Sequence, residues 1–317
     1  MSGSDPDGDA LTYAIVSWAP DVLGRVCFEM TPGSRRLTVV CDVESGTTGI
    51  NYEANPEFQL TVQVSDPMGA VDLATITVTV VDQNDAPTFT VAELAGGSGG
   101  LTLTPRSVEE NVAGGTALTG GPVMAEDEDV GQTLHYTLEG ASAPVFNIDE
   151  LTGGITVSDT AQLDFESTGS YTLTVRVTDD DSRGTLSVAG TLVVNIVDVN
   201  DRPVLPAVME LTTTENRAVG AAIGSVLVSS DQDAGQTLTY TVSGDAALMF
   251  QPVSIGATSG QLKLVAGAAL NFEDTQEYTF DITITDDDPT NPLAATGSVR
   301  VTVTDVNEIA VFTVCDP

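Results

Sequence analysis

The feature that most limits what this chain can fold into is an internal repeat with a step of roughly 110 residues. An apolar alternation that ends in aspartate recurs at Asp66, Asp179 and Asp286, with spacings of 113 and 107 residues. A segment that ends in glutamate keeps the same two spacings, as INYE at 50–53, LDFE at 163–166 and LNFE at 270–273. Independent markers in one order and at one period indicate tandem copies of one structural unit.

Further repeated markers are acidic. A linker recurs as DQNDAP at 82–87, DVNDRP at 198–203 and DVNE at 305–308. An acidic pair precedes a strand-like run as DPD at 5–7, DED at 127–129 and DQD at 231–233. A Glu-Asn pair occurs at 110–111 and again at 215–216. The acidic residues therefore recur as sets instead of being scattered along the chain.

Each copy shows the residue pattern of β-strands. Apolar and polar residues alternate in runs such as Leu173/Val175/Val177, and Thr and Val dominate these runs. No stretch with helical periodicity competes with them. A repeat of this length with many short strands predicts an all-β fold of tandem Greek-key β-sandwiches with immunoglobulin-like topology.

The acidic linkers set the expected domain boundaries. We predict repeats at 1–87, 88–203 and 204–309, with residues 310–317 opening a further repeat. The first repeat begins at its acidic pair, so we expect it to lack its opening strands. On this basis the chain is expected to be a segment of a longer protein.

Charge excludes some partners. The chain has 46 Asp and Glu residues against 10 Lys and Arg, a formal net charge of −36. Such a charge repels nucleic acid and anionic membrane surfaces. The sequence contains no run of eighteen apolar residues, so it predicts no membrane-spanning helix. We therefore expect no nucleic-acid partner and no direct membrane contact from this segment.

Two of the three cysteines flank a predicted hairpin. Cys27 and Cys41 lie at the two ends of this hairpin, and a disulfide between them would suit an oxidising compartment. The alternative is a pair of small buried thiols. Three cysteines are too few for a fold built on disulfides.

The repeated motifs carry a family resemblance. The linkers DQNDAP and DVNDRP resemble the D-x-N-D-x-P signature of cadherin repeats, and the LDFE, Glu-Asn, DED and DQD segments resemble other motifs of that family. The resemblance covers nearly the whole chain. Asn51 and Asn271 replace the aspartate of the D-x-E motif, and Glu308 replaces the second linker aspartate. The style of the repeats is similar to cadherin-like repeats of microbes and protists, outside the classical adhesive group.

The resemblance implies calcium sites, each built from the base of one repeat, the linker and the top of the next. Carboxylate and amide oxygens are the ligands that Ca²⁺ prefers. At the second-to-third junction the implied ligands are Glu110, Asp164, Glu166, Asp198, Asn200, Asp201, Asp231, Asp233 and Asp286. At the first-to-second junction they are Asn51, Glu53, Asp82, Asn84, Asp85, Asp127, Asp129 and Asp179.

Two incomplete junctions follow from the same resemblance. The third junction has Glu215, Asn271, Glu273, Asp305, Asn307 and Glu308, and a junction upstream would use Asp5, Asp7 and Asp66. Because asparagine and missing ligands lower the ligand charge, we expect weaker calcium occupancy at the first and third junctions than at the second.

The chain offers few residues for an enzyme. His135 is its single histidine, so it has no conventional catalytic triad and no His/Cys zinc set. The resemblance implies a calcium-rigidified extracellular or cell-surface rod, from a membrane-anchored parent protein, that acts in cell adhesion or as a structural filament. Its expected partners are Ca²⁺ and other cell-surface or filament proteins, including copies of itself. The alternative is a set of acidic spacer repeats in a larger secreted enzyme or carbohydrate-binding surface protein.

Overall fold

A computed structural model describes residues 3–20, 27–31, 35–40, 50–96 and 101–310 of the chain. These residues form twenty β-strands and three short 3-10 helices at Val91–Glu93, Ala143–Val145 and Gly244–Leu248. Within the described ranges there is no α-helix, and no helix long and apolar enough to cross a bilayer. The prediction of an all-β fold is confirmed.

The first group of strands builds a small sandwich. Its strands are β1 (Thr12–Ala19), β2 (Phe28–Met30), β3 (Leu37–Val39), β4 (Glu57–Ser65) and β5 (Val71–Thr79). One antiparallel sheet has the order β1-β4-β5, and β2 pairs with β3. Phe28 and Phe58 meet edge to face between them with ring centroids 5.1 Å apart, and Trp18 packs against this core.

The second group has eight strands. They are β6 (Thr88–Phe89), β7 (Arg106–Glu109), β8 (Ala125–Glu126), β9 (His135–Glu139), β10 (Phe146–Ile148), β11 (Ile155–Val157), β12 (Ser170–Thr178) and β13 (Ser187–Val197). The main sheet has the order β7-β13-β12-β9, and β10 pairs with β11. Leu173, Val175 and Val177 on β12 are each no more than 1% exposed, which confirms the alternation seen in the sequence.

The third group is the most regular sandwich. Its strands are β14 (Val208–Thr214), β15 (Ala222–Val228), β16 (Thr239–Val242), β17 (Phe250–Gly256), β18 (Ser259–Leu264), β19 (Glu277–Thr285) and β20 (Ala294–Thr304). The sheets have the orders β14-β20-β19-β16 and β15-β18-β17, so the chain crosses between sheets in Greek-key fashion. Fourteen buried apolar residues from both sheets and their connecting segments form its core.

Contact density divides the chain into two compact units. One contains Met1–Val108, Val112–Ala161 and Ser170–Asn195, and the other contains Glu109–Asn111, Gln162–Gly169 and Ile196–Pro317. The segments that carry Glu110, Asp164 and Glu166 therefore belong to the same unit as the third sandwich. The domain boundaries drawn from the linkers stay a prediction.

The predicted disulfide involves Cys41, which lies outside the described residues. Cys27 is buried at 2% exposure, next to β2. Its carbonyl accepts a hydrogen bond from the amide of Val40 at 2.9 Å, which brings the two ends of the hairpin together. The bridge between Cys27 and Cys41 stays a prediction.

The third sandwich offers a direct test of this packing. Leu262 lies on the central strand β18 and is fully buried, so Leu262→Ala should lower the free energy of unfolding by about 2–5 kcal/mol through lost burial and a residual cavity. Val228 on β15 is 65% exposed, and Val228→Ala should change stability by no more than about 0.5 kcal/mol. Urea unfolding of both variants measures the difference, and equal effects would contradict the sandwich core.

Candidate metal centres

A buried glutamate orients the base of the second junction. Glu110 directly follows β7, and its side chain is almost fully buried. One of its carboxylate oxygens accepts a hydrogen bond from the Phe165 amide at 2.8 Å, and the other accepts one from the Val199 amide at 2.9 Å. The glutamate thus joins the D-x-E segment to the linker and is held in place by backbone groups.

The same arrangement recurs one repeat later. Glu215 follows β14 and accepts hydrogen bonds from the amides of Phe272 at 2.9 Å and Val306 at 2.8 Å. These backbone donors hold the pKa of Glu215 below its ordinary value, because they stabilise the charged form. The Glu-Asn motif therefore predicts the same local structure at both junctions.

The asparagine of each Glu-Asn pair has both a backbone and a side-chain role. Asn111 and Asn216 have φ angles of 56° and 54°, a left-handed conformation that asparagine tolerates better than most residues. Their side-chain amides donate to the linker carboxylates, Asn111 to Asp201 at 2.9 Å and Asn216 to Glu308 at 2.7 Å. The motif thus turns the chain and orients a linker carboxylate.

Two overlapping carboxylate clusters form at the second junction. Oxygens of Glu110, Asp164 and Glu166 lie within 4.8 Å of one another, and so do those of Glu166, Asp198 and Asp233. Partial desolvation raises the pKa of the exposed Glu166 side chain, and the carboxylates of Glu110, Asp198 and Asp233 raise it further. Partial desolvation also raises the pKa of Asp198, with additions from Asp233 and Glu110. The base, the linker and the top of the next sandwich meet here.

The linker is tied to the third sandwich by polar contacts. The Asp201 amide donates to Asp233 at 2.7 Å, and the Asn200 side chain donates to Asp286 at 3.1 Å. The Leu293 amide contacts both carboxylate oxygens of Asp286, at 3.0 and 2.9 Å. A cavity of about 800 Å³, lined in part by Asp198 and Asp233, opens beside these groups.

The first junction repeats this scheme in the other compact unit. The Asp85 amide donates to Asp129 at 2.8 Å, and the Asn84 side chain donates to Asp179 at 3.0 Å. Oxygens of Glu53, Asp82 and Asp129 lie within 4.8 Å of one another. The predicted ligands of this junction are therefore brought together from the base, the linker and the top.

The first junction also contains two charged residues that the sequence motifs did not indicate. Glu128, the middle residue of DED, forms a second cluster with Glu53 and Asp85 and accepts a hydrogen bond from Asn51 at 2.9 Å. The guanidinium of Arg183 lies 2.6 Å from Asp82. Glu128 and Arg183 are not residues of the repeated motifs themselves. The only sequence signal for them is that they lie close to motif residues, Glu128 between Asp127 and Asp129 and Arg183 four residues after Asp179.

The remaining predicted ligands form smaller sets. At the third junction, oxygens of Glu215, Glu273 and Asp305 lie within 4.8 Å of one another, whereas Asn271 donates to Asp274 at 2.8 Å and Asn307 is exposed.

At the start of the chain, the Asp5 carboxylate accepts the Asp7 amide at 2.8 Å, and Asp66 accepts the Ala70 amide at 2.8 Å. Among the described residues, none of these three aspartates joins a cluster with two other metal-ligating side chains. The upstream junction that they would serve stays a prediction.

The donor set fits calcium better than other common ions. All clustered donors are oxygens, as Ca²⁺ requires, and in the described part of the chain no cluster contains a histidine or cysteine. Asp127 and Asp231, at equivalent positions in two junctions, each have a buried Oδ2 atom without a hydrogen-bond partner among the described residues. A buried carboxylate oxygen without a donor is costly, and a cation would satisfy it.

Comparison with known proteins agrees with this architecture. Residues 104–197 match the model of the cadherin domain family. Protocadherin Fat 1 of Homo sapiens is 29% identical over 315 residues, covering 97% of this chain and 6% of the relative. The crystal structure of mouse Cadherin-23 EC22-24 has a TM-score of 0.63 at 24% identity, covering 96% of this chain and 90% of that chain.

The extracellular cadherin domains 1-5 of Protocadherin Gamma B2 have a TM-score of 0.63 at 23% identity, covering 94% of this chain and 53% of that chain. At these identities the solved structures establish the fold alone. The chain spans less than a tenth of the length of the first curated relatives that it matches.

Tandem β-sandwiches with oxygen-ligand clusters between them define a class of multidomain repeat proteins. Within that class, residues 104–197 match the cadherin domain family, and the chain is similar over nearly its whole length to proteins built of cadherin repeats. The resemblance seen in the linkers and the D-x-E, D-x-D and Glu-Asn motifs is thereby confirmed. Metal binding by the individual residues stays a prediction.

The raised pKa values predict an unusual pH dependence. Folding raises the pKa of Glu166, Asp198 and Asp201, so the folded state binds these protons more tightly than the unfolded state. Their destabilising effect is present above the raised pKa values and disappears as the pH falls toward the ordinary carboxylate range near 4. Without calcium, the melting temperature should therefore rise as the pH falls from neutral toward these raised pKa values.

Calcium should reverse this trend, because metal binding requires ionised carboxylates. The increase in melting temperature that calcium causes should be larger at about pH 7 than at about pH 5. Thermal unfolding in chelator and in calcium measures both effects. A melting temperature in chelator that falls steadily over this range would contradict the electrostatic description of the junctions.

Proposed function

We propose that this chain is a calcium-stiffened segment of an extracellular adhesion protein or surface filament. The observation that carries the proposal is the meeting of Glu166, Asp198 and Asp233 within 4.8 Å. They come from the base of one sandwich, the linker and the top of the next. An ion bound by all three would couple segments that otherwise share only a short linker.

Electrostatics gives the reason why a cation matters. Two unit charges about 5 Å apart repel by about 3 kcal/mol at an effective dielectric near 20, and by less where water screens them. The second junction gathers eight carboxylates, so several such repulsions act against its closed geometry. A divalent ion converts these repulsions into attractions, and its ligands then resist bending of the junction.

The residues of the chain prepare the site before any ion binds. Glu110 is fixed by two backbone amides, Asp201 by the Asn111 side chain, and Asp286 by the Leu293 amide. Oriented carboxylates lose less conformational freedom on binding, which favours affinity. When bound, calcium would supply the charge that holds these oriented oxygens together.

The extracellular assignment rests on the same chemistry. Oxygen-rich modules with partly neutral ligand sets bind calcium in the range of about 10⁻⁴–10⁻³ M, which suits extracellular calcium. A similar structure consists of extracellular cadherin domains. Other cell-surface or filament proteins, including further copies of this chain, are the partners that an adhesive role would require.

A charge-neutral substitution at the second junction tests the proposal. Asp233→Asn retains the shape of the side chain and removes one ligand charge, so it should weaken calcium binding there at least about tenfold. Asp245→Asn changes the charge equally in the 3-10 helix Gly244–Leu248 and should leave calcium binding unchanged. Isothermal titration calorimetry on metal-free protein measures both affinities.

The mechanical consequence is measured by small-angle scattering of the whole chain. We expect a longer maximum dimension and less flexibility in calcium than in chelator, and a smaller response for Asp233→Asn. Identical scattering profiles with and without calcium, or equal affinities of the two variants, would refute the proposal. Either result would favour acidic spacer repeats without a calcium-dependent role.

A further inference from the structure

Arg183 places a fixed positive charge inside the first junction. It lies in the loop 179–186 that joins β12 to β13, and its guanidinium contacts three carboxylates. The distances are 2.6 Å to Asp82, 3.3 Å to Asp129 and 2.6 Å to Asp181. It therefore bridges the linker and the top of the second sandwich.

The carboxylates that Arg183 contacts include proposed metal ligands. Asp82 and Asp129 form the cluster with Glu53, and the side chain of Asp129 is only 5% exposed. An arginine stays charged at all physiological pH values, so its contribution cannot be removed by deprotonation. A cation that binds Asp82 and Asp129 must displace the guanidinium or tolerate a like charge beside it.

The equivalent loop of the third sandwich lacks this charge. Counting from the homologous aspartates, Asp179 and Asp286, the residue that corresponds to Arg183 is Thr290. The Thr290 hydroxyl donates to Asp288 at 2.7 Å, and both residues line the cavity of about 800 Å³ beside Asp198 and Asp233. The second junction therefore retains open space and uncompensated negative charge where the first junction holds a guanidinium.

We propose that Arg183 is a tethered counter-ion that competes with calcium for Asp82 and Asp129. It lowers the calcium affinity of the first junction relative to the second, and it keeps the linker attached to the second sandwich when calcium is absent. The competition rests on the proposed calcium-binding function, whereas the attachment in the absence of metal does not. The two junctions then load at different calcium concentrations, with the first one held partly closed by its own cation.

Reciprocal substitutions test the competition. Arg183→Thr should tighten calcium binding at the first junction about tenfold, the usual effect of removing one close like charge. Thr290→Arg should weaken the second junction by a similar factor. Arg176→Thr is the matched control, because Arg176 pairs with Glu139 at 2.7 Å on the sheet and should leave calcium binding unchanged. Calorimetric titration of each full chain with calcium alone gives the affinities.

A calcium-free measurement tests the attachment. In chelator, Arg183→Thr should speed amide hydrogen exchange in the linker 82–87, whereas Arg176→Thr should not. If calcium binds but the reciprocal variants keep the wild-type affinities and exchange rates, the proposal for Arg183 is wrong while the calcium function stands. If no variant and no wild-type chain binds calcium, the calcium function fails, and unchanged exchange in Arg183→Thr would then overturn the attachment as well.

Discussion

Repulsion between carboxylates gathered at the ends of the sandwiches is the constraint on which the rest of this structure depends. Glu166 stands within 4.8 Å of both Asp198 and Asp233, and partial desolvation and the neighbouring carboxylates raise the pKa of Glu166 and of Asp198. A cluster of this kind is unfavourable unless a cation or a proton compensates it. The sandwiches supply the rigid frame that holds the carboxylates in this costly arrangement.

The carboxylates are oriented by the protein itself. At the second and third junctions a buried glutamate accepts two backbone amides, and a left-handed asparagine donates to a linker carboxylate. At the first and second junctions a late-strand aspartate accepts the amide of the residue that closes its loop. Such repetition indicates that the side chains are positioned by hydrogen bonds that do not need the ion. The ion would then bind carboxylates that folding has already oriented, so their side chains would lose little conformational entropy on binding.

The sequence predicted the sandwiches and most of the junction residues because both depend on short-range patterns. Alternation identifies β12 and β20, and the motifs at 163–166 and 198–203 recur at fixed spacing. Ile76 and Val78 on β5 also alternate with polar residues, yet they are only half buried. The position of the strand in the sheet explains this difference. β5 is an edge strand in its described sheet, whereas β13 lies between β7 and β12.

Glu128 and Arg183 show the limit of motif reasoning in the site itself. Both lie between signature residues, and their roles depend on side-chain direction and on the fold of a loop, which no local pattern specifies. Glu128 adds a carboxylate beside Asn51, and Arg183 supplies a cation beside Asp82. The corresponding positions at the second junction are the uncharged Gln232 and Thr290.

The most direct test is a crystal structure of the chain grown in saturating calcium, with the ions located by anomalous scattering. Ion density within about 2.3–2.6 Å of oxygens from Asp198, Asp201, Asp231 and Asp233 is the expected result. Side chains at these positions that point apart into solvent, with no ion between them, would contradict the account.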